Sequence, residues 1–363
     1  MSRNSIGKNL ILTSFGESHG AFIGAVLDGF PAGLEVNFAD IQREMNRRRP
    51  GQSSITTQRN ESDEVQLVSG VFEGKTLGTP IAFLIPNKDA KSNDYLHLKD
   101  IYRPGHADLL YDQKYGHRDW RGGGRSSARI TAGWVAAGAL AKQWLKQYHQ
   151  IEVTAWVSQI YNVLADSTEA IPSQDAIEQS IVRCPDPVVS EKMVEAIEKA
   201  RLSGDSLGGK ITCAIQGMPL GVGEPVFGKL NAVLGNYILS LNAVKGISFG
   251  DGFDVASKTG SNNNDSWVYN KETGKIGTSS NHAGGIVGGM STGEPVFMEI
   301  AFKPTSTIAA MQSTINSSHE QVQLEAAGRH DPCVLPRAVP IVEALCHLAV
   351  MDLLLESGSK TIN

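Results

Sequence analysis

The sequence predicts a glycine-rich α/β enzyme, and three features of its pattern support this fold class. Apolar residues recur at helical spacing through residues 126–148 and along a C-terminal segment that begins after Pro340. Runs typical of strands, KITCAI at 210–215 and PVFMEIAF at 295–302, occur between these two helical segments. The chain also contains 38 glycines in 363 residues, which allows many tight loops.

Composition limits the class of protein. The chain is long enough for one large domain or two, and 41 % hydrophobic and 20 % charged residues are ordinary values for a globular protein. The four cysteines are widely spaced, and the sequence contains neither a CxxC nor an HExxH motif, so we expect no metal site. No secretory signal is recognised, and the apolar run at 133–141 is too short to span a membrane. We therefore expect a cytoplasmic protein with no membrane partner.

The segment RGGGRSSAR at 121–129 combines glycines, serines and arginines at the start of the first predicted helix. Ser126 or Ser127 would cap that helix, and the free N–H groups and positive dipole end of a helix N-terminus bind anions. Arg125 and Arg129 would share a face if both are helical. A single acid opposes four arginines here, which favours an anion site over the other interpretation, a flexible turn. The four arginines are Arg118, Arg121, Arg125 and Arg129.

A second arginine cluster lies at 43–59, REMNRRRPGQSSITTQR, which has five arginines, one glutamate and no lysine. Arginine without lysine is typical of forked binding to phosphate or carboxylate groups. The same segment also fits the solvated end of a helix that Pro50 stops. The sequence pattern favours neither interpretation over the other.

Four of the nine histidines have a glycine within two positions: His19, His106, His282 and His330. Glycine leaves a neighbouring ring accessible, so the pattern indicates either a shared site or four ordinary loop residues. His347 lies in the C-terminal helical pattern and is predicted to be a core residue. Asp331, between His330 and a proline, completes a set of groups suited to acid–base chemistry on a small, highly anionic substrate.

Two common nucleotide-binding motifs are missing. GDSLGGK at 204–210 nearly matches a phosphate-binding loop, but Ile211 stands where the magnesium-binding Ser or Thr would be. No GxGxxG follows a strand, so neither an ATP site nor a nicotinamide site is predicted. Residues 155–205 contain few glycines and no cluster of potential site residues, and they are predicted to elaborate the main body.

Seven segments, in order along residues 6–355, together resemble the chorismate synthase family. They are GESHGAFIGAVLDGFPAG (16–33), RRRPG (47–51), RPGHAD (103–108), RGGGRSSARITAG (121–133), SNHAGGIVGG (280–289), KPTST (303–307) and GRHDPCVLPRAVPIVEA (328–344). The resemblance implies a lyase that eliminates phosphate from 5-enolpyruvylshikimate 3-phosphate to give chorismate, using reduced FMN (FMNH2) without net redox change. It also implies an α+β fold, a β-α-β sandwich with helices packed between antiparallel sheets.

The resemblance further implies one chorismate-synthase-like domain over residues 1–363, with a less motif-rich elaboration around 155–205, assembled as a homotetramer. Since the sequence has no nicotinamide fingerprint, we expect a separate system to reduce the flavin. Two rival classes are a metal-dependent phosphoryl-transfer enzyme, for which the chain has no convincing carboxylate cluster, and a nucleic-acid-binding protein. A pI near 6.0 and the lack of aromatic residues at 43–59 argue against nucleic acid as a partner.

Residue by residue, the resemblance assigns three catalytic groups. His19 would give a proton to the leaving phosphate, His106 would lie near flavin N1, and Asp331 would assist proton removal through flavin N5. Substrate contacts would come from Arg48, Arg103, Ser127 and Arg129. Flavin contacts would come from Arg125, Ser126, Ser127, Asn242, Ala243, Gly288, Lys303, Pro304, Thr305, Ser306, Thr307 and Arg329. Ser54 stands where many family members have an arginine, and Arg59 is a candidate replacement.

Overall fold

The fold combines short strands with a few long helices. The computed structural model describes residues 4–51, 55, 61–89, 92–166, 170–272, 274–325 and 331–357. The strands are β1 (Ser5–Ile6), β2 (Ile11–Phe15), β3 (Phe22–Asp28), β4 (Gln66–Ser69), β5 (Val71–Phe72), β6 (Lys75–Thr76), β7 (Ile81–Pro86), β8 (Glu152–Ile160), β9 (Val163–Leu164), β10 (Gly209–Gln216), β11 (Val244–Phe249), β12 (Trp267–Asn270), β13 (Lys275–Thr278), β14 (Ile286–Val287), β15 (Met290–Ser291), β16 (Val296–Phe302), β17 (Gln312–Ile315) and β18 (Gln321–Leu324). The helices are α1 (Phe38–Arg48), α2 (Asp108–Tyr115), α3 (Thr131–His149), α4 (Gln174–Glu178), α5 (Pro187–Leu202), α6 (Leu230–Leu239), α7 (Gly260–Asn263) and α8 (Leu335–Ser357), with 3₁₀ segments at Ser92–Leu98, Gly124–Ser126, Ala128–Ile130 and Gly252–Ser257.

Two five-stranded sheets form the frame. The first has the strand order β1–β2–β3–β7–β4, and the second has the order β11–β16–β10–β8–β9. In β16 every second residue from Val296 to Phe302 is buried, because one face of the sheet packs on the core. The predicted runs KITCAI and PVFMEIAF form β10 and β16, which pair with Cys213 opposite Met298. Both strand predictions are confirmed.

Two long helices form the layer between the sheets. α3 packs against β3 and β7 of the first sheet, α8 packs against β8 and β10 of the second, and the two helices pack on each other. Their close approach depends on glycine. A Cβ on Gly133 would lie 3.0 Å from Cβ of Ala25 in β3, and one on Gly138 would lie 2.4 Å from Cβ of Ala344 in α8. The small residues of the run at 133–141 therefore serve close packing in the core.

This arrangement confirms the α+β sandwich implied by the family resemblance, and it shows that the α/β class predicted from local pattern was wrong. Every strand ladder among the described residues is antiparallel. Local apolar runs do not reveal the direction of a neighbouring strand, so they could not separate the two classes. The region 155–205 begins inside β8, which lies between β10 and β9 in the second sheet.

The ends of three helices test the sequence prediction. α1 ends at Arg48, shortly before the proline that was expected to stop it. α3 begins at Thr131, five residues later than the expected start at Ser126. α8 begins at Leu335 and continues through Pro340, so the prediction that it starts after this proline was wrong. A proline inside a helix removes one N–H donor, and the structure supplies a replacement that is described below.

α8 is the central helix of the core. Its residues Leu335–Glu356 are long and apolar enough to cross a membrane by length and composition, but 94 % of the most apolar window is buried inside the protein. Burial lowers the pKa of His347 to about 3, so this side chain is a neutral core histidine, as predicted. One continuous buried cluster contains residues of α8 and of both sheets.

Candidate active site

The loop RGGGRSSAR folds into two successive 3₁₀ turns and not into the start of a regular helix. Gly124–Ser126 and Ala128–Ile130 form the turns, and Ser127 caps the second by accepting a hydrogen bond from the N–H of Arg129 at 3.2 Å. Ser127 is therefore an N-cap, as predicted, but of a 3₁₀ turn. Arg125 and Arg129 belong to different turns, so they do not share a helical face.

Gly122 brings two predicted site groups together. Its φ of +84° lies in the left-handed region, and a Cβ at this position would lie 2.4 Å from Cε1 of His19. Its carbonyl oxygen accepts a hydrogen bond from Nη2 of Arg103 at 3.1 Å. Nδ1 of His19 lies 3.0 Å from Oγ of Ser18, and its ring packs edge-on against Tyr95. The missing side chain of Gly122 lets the imidazole approach this backbone segment.

Asp108 orients Arg103 and His106. Its two oxygens accept hydrogen bonds from Nε and Nη2 of Arg103, both at 2.8 Å. Nδ1 of His106 lies 2.9 Å from Oδ1 of Asp108, which favours a proton on Nδ1 and leaves Nε2 as the acceptor. Burial would raise the pKa of Asp108, but the hydrogen bonds from Arg103 and His106 outweigh it and hold that pKa well below its usual range. The ionised carboxylate therefore fixes both predicted site residues.

Arg48 and Arg129 share one buried carboxylate, that of Asp63. Nη2 of Arg48 contacts Oδ2 of Asp63, and Nη1 of Arg129 contacts Oδ1. Burial would raise the pKa of Asp63, but the two guanidinium charges outweigh it and lower that pKa. Burial lowers the pKa of Arg48 to about 10, so this side chain stays charged at neutral pH. Asp63 thus holds two like charges side by side.

Asn87 links this pair to the loop that carries His19. Its Oδ1 accepts a hydrogen bond from Nε of Arg129 at 2.8 Å. Its Nδ2 donates to the carbonyl oxygens of Glu17 and Gly20, at 3.1 and 2.8 Å. The amide of Asn87 therefore sets the distance between a predicted substrate arginine and a predicted catalytic histidine.

Arg337 links Asp331 to Arg48. Its Nη1 contacts the carboxylate of Asp331, and its Nε donates to the carbonyl oxygen of Arg48 at 3.4 Å. Arg337 lies in the same motif as Asp331, GRHDPCVLPRAVP, but no local pattern distinguishes it there from an ordinary helical arginine. One series of contacts now joins the three predicted catalytic residues; it runs through His106, Arg103, Gly122, the loop of His19, Asn87, Arg129, Asp63, Arg48, Arg337 and Asp331.

The predicted flavin segment at 303–307 packs on the loop that carries His106. Nζ of Lys303 donates to the carbonyl oxygen of Gly105 at 3.2 Å and contacts Oγ of Ser306. Oγ of Ser306 donates to the same carbonyl oxygen at 2.8 Å. The N–H of Lys303 donates to the carbonyl oxygen of Ala243 at 2.9 Å, which brings a second predicted flavin segment to this place.

Arg125 and Asn242 connect the loop at 121–129 to its surroundings. Nη1 and Nη2 of Arg125 donate to the carbonyl oxygens of Gly16 and Ser14, at 3.0 and 2.9 Å. Nδ2 of Asn242 donates to the carbonyl oxygen of Ser126 at 2.7 Å. The predicted flavin residues of three separate segments therefore meet on one side of the cluster.

Next to the site lies a large cavity, and the site itself has unused polar atoms for a ligand. The cavity, of about 1150 Å³, lies between Arg125 and helix α2, and Arg125 is the one predicted site residue among its described lining residues. Three buried polar atoms of the predicted residues have no described hydrogen-bond partner: Nε of Arg48, Oδ1 of Asn242 and Oγ1 of Thr305. Buried polar atoms normally have a partner, so these three fit a site that a polar ligand or ordered water completes.

Some predicted residues do not join this cluster. Gly288 lies at the exposed turn of hairpin β14–β15 and lines a different cavity, of about 290 Å³, with Lys229 and Phe249. His282 pairs with Asp251 at 2.7 Å, and no described contact joins it to His19 or His106, which favours the interpretation of His282 as an ordinary loop residue. The remaining predicted positions lie outside the described residues: Ser54, Arg59, Arg329 and His330.

Sequence comparison identifies the family. A family model for chorismate synthase matches residues 10–355. The chain is 52 % identical to the chorismate synthase of Phocaeicola vulgatus over 349 residues, which are 96 % of this chain and 97 % of that protein. It is 51 % identical to the chorismate synthase of Synechocystis sp. over 361 residues, which are 99 % of each chain.

Structural comparison agrees. A crystal structure of chorismate synthase matches with a TM-score of 0.76 at 28 % sequence identity, covering 97 % of this chain and 93 % of that one. The similarity extends over nearly the whole length in sequence and in structure. The chain therefore belongs to the chorismate synthase family, whose enzymes are the chorismate-forming lyases of the shikimate pathway.

Proposed function

We propose that the chain catalyses the 1,4-elimination of phosphate from 5-enolpyruvylshikimate 3-phosphate to chorismate, and that it needs reduced FMN although the reaction has no net redox change. The observation that carries this proposal is the single series of contacts that joins His19, His106 and Asp331 through buried arginines. Membership of the family supports the reaction, and the contacts gather the charge and the proton carriers that it needs.

Three buried arginines suit the phosphate and two carboxylates of this substrate. A guanidinium stays charged and offers five donors in a planar fork. Arg48, Arg103 and Arg129 each use part of these donors on a neighbouring carboxylate. Nε of Arg48 has no described partner. We place the substrate anions on the remaining donors of these side chains, with Ser127 next to Arg129.

We assign two histidines and one carboxylate as the groups that donate or accept protons in the proposed reaction. Nδ1 of His19 contacts the Ser18 hydroxyl, so we assign Nε2 as the atom that gives a proton to the leaving phosphate. Nδ1 of His106 is held by Asp108, so Nε2 would be the atom available to a bound flavin near its N1. The Arg337 guanidinium holds the carboxylate of Asp331, which assists removal of the substrate proton.

The cofactor side of the site consists of residues from several loops. Reduced FMN, when bound, supplies the electron density that promotes departure of the phosphate. Arg125 and Lys303 offer positive charge, while Oδ1 of Asn242 and Oγ1 of Thr305, which have no partner among the described residues, offer hydrogen bonds. The residues proposed to hold FMN are Arg125, Ser126, Ser127, Asn242, Ala243, Gly288, Lys303, Pro304, Thr305, Ser306, Thr307 and Arg329.

We also propose a cytoplasmic homotetramer that has no nucleic-acid or membrane partner and receives its reduced flavin from a separate system. The family resemblance is the basis for the assembly, and the sequence features given above are the basis for the compartment. The net charge of −5 argues against a nucleic-acid partner, because nucleic-acid-binding surfaces are usually strongly basic.

The deciding experiment mixes the protein, reduced FMN and 5-enolpyruvylshikimate 3-phosphate without oxygen. We expect one chorismate and one phosphate for each substrate consumed, many turnovers for each flavin, and no turnover without flavin. Phosphate release without chorismate would indicate a phosphatase instead. Oxidation of one flavin for each product would contradict the redox-neutral reaction.

A further inference from the structure

Arg183 lies in the region 155–205 that sequence analysis associated with no site, yet its side chain reaches toward the active-site helices. It is 5 % exposed and has a φ of +59°, a conformation that few residues other than glycine adopt. Its guanidinium donates to three places: Nη1 to the carbonyl oxygen of Pro336, Nη2 to that of Arg47 at 2.9 Å, and Nε to Glu178 at 3.2 Å. Two of these partners directly precede Arg337 and Arg48 in the chain.

The contact with Pro336 explains how α8 passes through a proline. In an α-helix the carbonyl oxygen of residue 336 would accept the N–H of residue 340. That residue is Pro340, which has no N–H, so the carbonyl oxygen loses its partner. Nη1 of Arg183 takes the place of the missing donor. A side chain from outside the helix therefore stabilises the first turns of α8, which carry Arg337.

The contact with Arg47 acts at the other helix. The last carbonyl groups of α1 have no partner within the helix. Nη2 of Arg183 binds the carbonyl oxygen of Arg47, and Nε of Arg337 binds the carbonyl oxygen of Arg48. These positive side chains also suit the negative end of the helix dipole. Arg183 thus joins the C-terminal end of α1 to the N-terminal end of α8.

The charge of this buried guanidinium is balanced locally. Glu178 accepts hydrogen bonds from Nε of Arg183 at 3.2 Å and from Nε of Arg47 at 2.8 Å. Burial would raise the pKa of Glu178, but the charges of Arg47 and Arg183 outweigh it and lower that pKa. The carboxylate remains ionised and holds the two arginines next to each other.

We propose that Arg183 is a positioning residue of the active site. It fixes the backbone on which Arg48 is carried and, through Arg337, the place of Asp331. This inference rests on the proposed function of Arg48 as a substrate-binding side chain. The described hydrogen bonds of Arg183 go to Glu178 and to the ends of α1 and α8, which carry Arg48 and Arg337, so we expect its effect to fall on substrate binding rather than on flavin binding.

The test is Arg183→Lys, because a single ammonium cannot bind both carbonyl oxygens and Glu178 in a fork. We expect the KM for 5-enolpyruvylshikimate 3-phosphate to rise by about 10- to 100-fold, the scale of a small misplacement of a binding group. The KM for reduced FMN should stay within about 3-fold of the parent value, while kcat should also fall, because Asp331 shifts together with Arg337. The matched control is Arg201→Lys, since Arg201 is half exposed on α5 and pairs only with Glu198 in the described contacts.

A second substitution separates positioning from stability. Pro340→Ala returns an N–H to α8, and this donor can bind the carbonyl oxygen of Pro336 in place of Arg183. We expect Arg183→Lys to lower the midpoint temperature of thermal unfolding, and adding Pro340→Ala should restore most of that loss. The substrate KM should stay raised in the double variant, because the carbonyl oxygen of Arg47 still has no guanidinium donor from residue 183. Recovery of KM together with stability would show that the contact of Arg183 with the Arg47 carbonyl does not position Arg48, and it would overturn the inference for this side chain.

A double-mutant cycle checks that Arg183 acts through Arg48. Adding Arg183→Lys to Arg48→Lys should raise the substrate KM by less than about 2-fold beyond Arg48→Lys alone, because coupled residues are not additive. Fully additive effects would contradict the proposal. If the parent protein forms no chorismate, the proposed function fails. The role of Arg183 in positioning Arg48 is then tested by comparing crystal structures of the parent and Arg183→Lys proteins. The inference requires the Arg48 guanidinium to shift in the variant, and an unchanged position would overturn it.

Discussion

The two sides of the candidate site hold their positive charges in different ways. On the proposed substrate side, Arg48 and Arg129 contact the carboxylate of Asp63, and Arg103 contacts that of Asp108. On the proposed flavin side, the described hydrogen bonds of Arg125 go to two backbone carbonyl oxygens. Those of the Lys303 ammonium go to one carbonyl oxygen and one hydroxyl. Carboxylates therefore hold the first set of cations, and neutral dipoles hold the second.

This difference indicates two ways of binding an anion. A carboxylate fixes a guanidinium firmly but offsets its charge. We therefore expect the arginines of the proposed substrate side to be in place before substrate binds, and to discriminate between ligands by the positions of their anionic groups. A carbonyl oxygen orients a cation without cancelling its charge, so the flavin side keeps net attraction for an anionic cofactor. Under the proposed assignment, the substrate would share its arginines with Asp63 and Asp108, while none of the described hydrogen bonds of Arg125 and Lys303 goes to a carboxylate.

The largest effect is expected where the two sides meet. His19 packs on Gly122, and His106 contacts Arg103, which binds the same glycine. Replacing either histidine with alanine should lower kcat by about 10²- to 10⁴-fold, the range for a positioned acid or base. Anaerobic chorismate formation measures the rate, and circular dichroism checks the fold.

His282 provides the matched control. It is also flanked by a glycine, but it pairs with Asp251 and has no described contact with the cluster. His282→Ala should therefore retain a rate close to that of the parent. If His19→Ala and His106→Ala behave like His282→Ala, the meeting point of the two sides has no catalytic role.

The second prediction tests the carboxylate-held side. Asp63→Asn would leave two buried guanidiniums next to each other without their shared counter-charge. Removing one partner of a buried ion pair costs about 3–5 kcal/mol, so the free energy of unfolding should fall by that amount. Denaturant unfolding at neutral pH measures it.

Asp119→Asn is the control for this loss, because Asp119 pairs with the more exposed Arg121. Such pairs contribute about 0–1 kcal/mol. If Asp63→Asn costs no more than the control, Asp63 does not hold the substrate side together, and the distinction between the two sides is lost.

Local pattern predicted part of the fold well. α1 and its end, the strands β10 and β16 and the buried His347 all follow from apolar periodicity and from a proline at a helix end. Strand direction does not follow from such patterns, and the α+β class came from the order of the family motifs. The start of α8 was missed because a proline normally marks a helix boundary. Here Arg183, which lies 153 residues before Pro336, replaces the donor that Pro340 lacks.

The site shows the same limit. The sequence motifs contain the arginines and histidines, and the structure gathers most of them, although their roles remain predictions. The partners that orient them were not predicted. Asp63 lies 66 residues from Arg129, and Asn87 lies 42 residues from it. Neither position has a local pattern that distinguishes it from an ordinary polar residue, so only the tertiary fold identifies these partners.

The third prediction measures the two sides against each other. Arg125→Ala should weaken binding of oxidised FMN by roughly 10- to 150-fold, because a hydrogen bond to a charged group contributes about 1.5–3 kcal/mol. Arg129→Ala should weaken binding of substrate by a similar factor and binding of FMN much less. Calorimetric titration of FMN, and then of substrate, measures both constants in each variant.

Arg121→Ala is the control for the calorimetric comparison, since Arg121 belongs to the same loop but is 44 % exposed and pairs with Asp119. It should bind both ligands as the parent does. If Arg125→Ala and Arg129→Ala each weaken the binding of FMN and of substrate equally, the loop forms a single anion site and not separate flavin and substrate sides.

The last prediction concerns the ion pairs behind the substrate side. Glu44 of α1 contacts Arg47 and Lys142, and Glu343 and His347 of α8 line the same small space. Burial would raise the pKa of Glu44, but the charges and hydrogen bonds of Arg47 and Lys142 outweigh it and lower that pKa from 4.5 to about 2.

A carboxylate with a lowered folded-state pKa stabilises the protein fully above its unfolded pKa and loses this contribution as the pH falls toward the folded value. For Glu44 the loss should therefore occur between pH 4.5 and about 2. Each pH unit in this window corresponds to about 1.4 kcal/mol, so the stability advantage of the parent over Glu44→Gln should shrink by about 2 kcal/mol between pH 5.5 and 3.0. His347 stays neutral in the folded parent down to about pH 3, and loss of the Glu44 charge lowers its pKa further in Glu44→Gln, so its protonation contributes little to the comparison in this pH range. Denaturant unfolding of the two proteins at these pH values measures the difference. If the stability advantage of the parent does not change with pH, the Glu44 carboxylate is not stabilised in its ionised form. The set of carboxylates that hold cations on the substrate side would then consist of Asp63 and Asp108 and would not extend to Glu44.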